Sequence, residues 1–67
     1  MIERAEPSQS PRDRILWILA NRGGRMSRSR LRRYAGMRYA DLDPILLELA
    51  REGRIHISYE GNIISLR

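Results

Sequence analysis

Two hydrophobic periods meet at one glycine in this chain. Leu42, Ile45, Leu46 and Leu49 recur at i, i+3, i+4 and i+7. At about 100° per residue they fall within one arc of a helix, the mark of an element with a single buried face. Beyond Gly53, Ile55, Ile57 and Tyr59 alternate with Arg54, His56 and Ser58, which is the period of a strand. A glycine just past the last periodic residue can take the left-handed conformation that closes a helix. Pro44 lacks an N–H and its ring collides with the preceding turn. The pattern therefore predicts Asp41 or Asp43 as the N-cap, with Pro44 in the first helical turn.

Upstream, Ser10, Pro11 and Asp13 form a helix-start signal for a first helix over residues 11–21, burying Ile15, Leu16, Ile18 and Leu19 and stopped by Gly23-Gly24. Trp17 lies roughly opposite that arc. It is covered by the tail or a terminal strand, or it marks a contact with another chain. Arg25-Met26 would suit a short third strand beside a hairpin. Ser27 caps a second helix over residues 28–35, with Leu31, Tyr34 and Ala35 on one side and Arg28, Arg30, Arg32 and Arg33 over the rest. Gly36 ends that helix, and Met37 reads as a core plug. Two strands over residues 54–59 and 62–67 are joined at Glu60-Gly61-Asn62. Pairing Tyr59 with Asn62 sets Ile57 against Ile64 and Ile55 against Leu66, with His56, Ser58, Ser65 and Arg67 on the other face. A slip of two residues keeps the same faces. Ile63 is left outside. Residues 1–9, with mixed charge, Pro7 and no period, read as a loose tail before a domain over 10–67.

Sixty-seven residues bound the chain to one domain and leave little room for an enclosed catalytic pocket, so no enzyme is expected and no small-molecule substrate. With Cys 0 there is neither a disulfide staple nor a thiolate metal site. His56 stands alone on an outer strand face, and Gly23-Gly24 lacks the lysine of a phosphate loop, so neither metal nor cofactor is expected. No apolar run reaches the ~18 residues of a membrane span, and the N-terminus lacks the order of a signal peptide. A cytoplasmic protein with no membrane association is the expectation.

The net charge of +5 understates how the charges are sorted. From Arg14 to Ala40 there are eight arginines and no acid; from Asp41 to Glu60 there are five acids against Arg51 and Arg54. All 13 basic residues are arginine, which favours forked, planar contacts to phosphate. A GC-rich or heat-adapted genome would also write arginine everywhere. It would not segregate it.

Helix, short extended piece, helix, tight turn, helix, hairpin: in this order the chain resembles the winged helix-turn-helix domain. The resemblance rests on Ser27-Arg28-Ser29-Arg30-Leu31-Arg32-Arg33-Tyr34-Ala35-Gly36-Met37, then Leu46, Leu49 and Glu52-Gly53-Arg54-Ile55. It covers nearly all of residues 10–67 and looks most like the compact winged-helix proteins of archaea and their viruses and plasmids. It implies a mainly α fold with a small β-hairpin, an α+β order α-(β)-α-α-β-β. It also implies a third helix in the DNA major groove and a wing on the flanking backbone or minor groove. The chain departs from that pattern in one respect. The outward side of its third helix would show Asp43, Pro44, Leu47 and Arg51, a poor surface to press on phosphates, and Asp41 and Asp43 suit caps better.

The expected partner is double-stranded DNA and the expected role a small transcriptional regulator. Arg25, Arg28, Arg30, Arg32 and Arg33 are candidates for backbone contacts, Arg38 and Tyr39 for the groove entrance, and Arg54 and Arg67 for clamping phosphates from the hairpin. A second reading is a protein-interaction winged helix without a DNA role. Trp17, Leu47 and Ile63 fall outside the expected core and mark a candidate association surface, with a homodimer the expected assembly. The two readings differ in salt response, steep for arginine-driven DNA binding and slight for an apolar contact.

Overall fold

The computed structural model describes residues 10–67, and residues 1–9, read above as a tail, lie outside them. Six elements follow one another: α1 (Pro11–Ala20), β1 (Arg25–Ser27), α2 (Arg28–Ala35), α3 (Tyr39–Arg51), β2 (Ile55–Ile57) and β3 (Ile63–Leu66). The α-β-α-α-β-β order is the one the sequence pattern implies.

Local signals set most boundaries. Ser10 caps α1, its Oγ accepting from the Asp13 N–H at 3.2 Å, and Ser27 caps α2 in the same way from Arg30 at 3.2 Å. The first helix ends at Ala20, one residue short of the expected end, with Asn21 as its C-cap. Gly36 takes φ +69° after α2, where its N–H and that of Met37 both reach the Arg32 carbonyl, at 2.9 and 3.2 Å. That reversal leaves only Gly36, Met37 and Arg38 between two helices.

The start of α3 corrects the expectation built on Pro44. Neither Asp41 nor Asp43 is the cap; the cap is Arg38, in extended conformation and with no side-chain capping bond, so Pro44 is the sixth helical residue. Both carboxylates are drawn elsewhere, Asp41 to Arg38 and Asp43 to Arg28. Proline at this position forfeits only the bond to the Ala40 carbonyl, which stands on the exposed first turn where water can satisfy it.

The three strands form one antiparallel sheet in the order β1-β3-β2. The hairpin register is the one the alternation predicts, Ile55 opposite Leu66 and Ile57 opposite Ile64, although both strands are shorter than expected. On the other side of β3, Met26 faces Ile64 and Arg25 faces Ser65. Met26, Ile55 and Ile64 turn inward and meet Ile15, Ile18 and Leu19 of α1, Leu31 and Ala35 of α2, and Leu42, Leu46 and Leu49 of α3. Leu16, Met37, Ile45, Ile57 and Leu66 are half-buried around them. Arg25, Ser65 and His56 form a polar row across the outer face of the sheet.

Two aromatic expectations change. Tyr34, expected with Leu31 and Ala35, stays 43% exposed, because its position on α2 falls at the border of the buried arc. Among the described residues no strand covers Trp17, which is 58% exposed, and cover by the tail falls outside the described residues. Among the described residues no helix is long and apolar enough to cross a membrane.

Gly36 gives a direct test of the α2–α3 turn. A Cβ there would meet nothing within 4 Å, so Gly36→Ala should cost only the backbone strain of φ +69°, about 1–2 kcal/mol by urea unfolding. Gly36→Asn, whose short amide tolerates the left-handed region, should lose less.

Candidate nucleic-acid interface

The residues of α2 point in three directions. Leu31 and Ala35 enter the core. Arg28 and Arg32, one turn apart, lean toward the start of α3, while Arg30 and Arg33 stand exposed on the far side. The four arginines are therefore not equivalent.

Arg28 makes a forked pair with Asp43, Nε to Oδ1 at 2.9 Å and Nη2 to Oδ2 at 2.8 Å. Its guanidinium also lies 4.2 Å from the centroid of the Tyr39 ring, and that of Arg32 lies 5.1 Å from the same ring. Arg32 donates from Nη1 to the Met37 carbonyl at 3.2 Å. Planar guanidinium groups suit both uses, stacking on an aromatic face and gripping a carboxylate with two bonds. Together the two side chains clasp the α2–α3 turn. The hydrogen bond from Arg28 holds the Asp43 carboxyl below the usual carboxylate range, and the same bond raises Arg28 further above its ordinary value. The side chains are 34% and 41% exposed, so water screens part of this attraction.

Three other carboxylates of the C-terminal half are similarly engaged. Asp41 accepts from Arg38 at 3.2 Å, Glu52 pairs with Arg12 and lies 3.7 Å from Arg54, and Glu48 lies 4.0 Å from Arg12. Arg54, a candidate phosphate clamp, thus sits beside an acid. Arg38 keeps 81% of its side chain exposed despite Asp41. No carboxylate of the described residues lies within 4.0 Å of Arg22, Arg25, Arg30, Arg33 or Arg67. Arg30 and Arg33 line a shallow concavity of about 340 Å³ with Tyr34. Arg25 is exposed at the start of β1, and Arg67 is exposed just past the end of β3. The structure thus brings Arg28, Arg32 and Tyr39 into one cluster, which Arg30, Arg33, Arg54 and Arg67 do not join.

Of the candidate association residues, Leu47 is 60% exposed and Ile63 is half-buried beside Ser27. Leu47 belongs to a groove of about 320 Å³ between α3 and the hairpin, floored by Leu46, Ile57 and Ile64 and rimmed by Glu60 and the Arg28–Asp43 pair. Sequence reasoning missed two participants. Asp43 as the partner of Arg28 is separated from it by fifteen positions, and no local period connects them. Arg22, whose guanidinium lies 4.3 Å from the Tyr34 ring centroid, follows the end of α1 and carried no signal beyond its charge.

The Asp43 shift fixes the sign of a pH effect. A carboxyl held below its unfolded value of about 3.9 stabilises the fold above that pH, and the contribution is lost as pH falls through the folded value. Arg28 stays protonated throughout and adds no pH dependence of its own. The urea midpoint of the native chain should therefore exceed that of Asp43→Asn near neutral pH, and the gap should close on acidification. A gap independent of pH would place the effect outside this ion pair.

No protein-family model matches this chain, and neither a curated protein nor a solved structure matches it.

Proposed function

We propose that this chain is a winged helix-turn-helix protein that binds double-stranded DNA and acts as a small cytoplasmic transcriptional regulator. The observation that carries the reading is the exposed face of α2, where Arg30 and Arg33 stand with no carboxylate of the described residues within 4.0 Å. Cations so placed are available to phosphates at little internal cost. Arg38 and Tyr39 open α3 at the groove entrance, and Arg25 and Arg67 extend the basic surface along the sheet. Arg28 and Arg32 act as positioning residues, holding Tyr39 and the turn. Phosphate contacts of this kind supply affinity, whereas base reading falls to Arg38, Tyr39 and the outer residues of α3. Leu47, 60% exposed, is an apolar group available for pairing two copies on a two-fold site.

One feature favours a second reading, a winged helix that binds protein. The groove between α3 and the hairpin is apolar, contains the exposed Leu47 and carries Glu60 on its rim, a surface that repels phosphate and suits an apolar side chain.

Fluorescence anisotropy with random duplex DNA at two salt concentrations separates the readings. The native chain should bind with a steep salt dependence. Arg30→Ala/Arg33→Ala should weaken binding and lower the magnitude of the log–log salt slope by about 2, near one unit for each phosphate that is no longer neutralised. Absence of binding at low salt would sink the DNA reading and leave the apolar groove as the site to pursue.

A further inference from the structure

A second surface lies between α1 and α2. A concavity of about 360 Å³ is lined by Trp17, Ile18, Asn21, Arg22 and Tyr34. Trp17 is 58% exposed and Tyr34 43%, which makes them two of the few large apolar groups left at the surface. The Arg22 guanidinium lies over the Tyr34 ring, 4.3 Å from its centroid, so a cation is held at the mouth rather than swinging free. Asn21 donates its side-chain N–H to the Trp17 carbonyl at 2.7 Å, bracing the last turn of α1 beneath the indole. None of the described residues lining it is a carboxylate, and Tyr34 also borders the neighbouring concavity of Arg30 and Arg33. The charged groups among the described residues lining the two are Arg22, Arg30 and Arg33.

We propose that this groove docks an acidic protein segment carrying an apolar side chain, with a carboxylate on Arg22 and the apolar group against Trp17. The occupant has to answer both the charge and the ring. Duplex DNA would satisfy the arginine, yet its outer surface is phosphate and sugar, with the base faces stacked inside, so the indole would stay uncovered. A second copy paired through the same patch would set Arg22 near its own counterpart with no acid among the described lining residues to offset the repulsion. Single-stranded nucleic acid offers both charge and bases, but such sites stack successive bases on several free rings, and here the Tyr34 ring already carries Arg22. An acidic segment with an aliphatic or aromatic residue complements the charge and covers the indole together. The groove adjoins the Arg30–Arg33 concavity at Tyr34, but neither Trp17 nor Arg22 is assigned a DNA contact.

Trp17 is the one tryptophan of the chain, so its emission reports on the groove directly. The full chain would be titrated with a short soluble peptide of Glu interspersed with Leu, with a matched Lys and Leu peptide, and with single-stranded oligothymidylate. The Glu and Leu peptide should give a saturable blue shift that weakens with salt, and the other two should not. Arg22→Glu should lose about tenfold in affinity, an exposed attraction being replaced by a repulsion of similar size. Trp17→Ala should lose affinity for the same peptide carrying a fluorescent label. Unchanged circular dichroism in both variants and unchanged duplex DNA binding by the charge-neutral Trp17→Ala would separate this loss from misfolding and from the DNA surface. The proposal is overturned by no shift with the acidic peptide, by an equal response to the lysine peptide, or by an unaltered affinity of Arg22→Glu. A tighter response to oligothymidylate would instead assign the groove to single-stranded nucleic acid. A shift that follows protein concentration without peptide would assign it to a second copy.

Discussion

The burial of Ile15, Leu19, Leu31, Leu42, Leu46, Leu49, Ile55 and Ile64 is the interaction on which the rest of the fold stands. Each such side chain contributes roughly 1.5–3 kcal/mol on leaving water, and a chain of this length has few of them to set against its conformational entropy. Among the described residues no polar or charged residue is buried with them. The core therefore supplies cohesion but no hydrogen-bonded network to fix how the helices meet. That specification falls to the turns and to the rim, where Gly36 reverses the chain and Arg28 and Arg32 clasp the start of α3 around Tyr39.

The clasp explains why α3 begins where it does. An aspartate cap would have put Asp41 or Asp43 against backbone N–H groups near the helix start, and both would then have been turned away from arginine. With Arg38 as the cap, Asp43 reaches Arg28 with two bonds and Asp41 meets Arg38. Uncapped N–H groups remain on an exposed turn, where water serves them well. A forked, partly buried ion pair bridging two elements has no substitute in water that also ties α2 to α3. Tertiary pairing has outweighed local capping.

What was legible in the sequence was what depends on near neighbours. Serine caps, glycine stops, the arc of Leu42, Leu46 and Leu49, and the register of Ile57 on Ile64 follow from spacings of two to four residues. Pro44 misled, because the rule that bars proline from a helix interior is weak where the missing N–H faces an exposed first turn. Tyr34 misled because a residue at the edge of a buried arc can cover the core or stack on a neighbouring cation, and Arg22 decided between them. The arginine-rich middle was plain in the sequence. Its division into bracing and exposed side chains was not, since that depends on partners many positions away.

That division changes what the sorted charge means. Along the chain, an arginine block without acids precedes an acidic block, and the four arginines of α2 look alike. On the folded surface, acids from the second block reach Arg12, Arg28, Arg38 and Arg54, which leaves a narrower cationic region than the sequence suggests. A phosphate approaching Arg28 has to displace a carboxylate held by two hydrogen bonds and disturb the stack on Tyr39, whereas one approaching Arg30 or Arg33 meets no such competitor among the described residues. The arginines closest to α3 are for this reason the costlier ones to turn outward. A basic surface built on this fold grows from the far side of α2 instead, and Tyr34 carries it on toward Arg22 and Trp17, where charge meets an exposed aromatic ring.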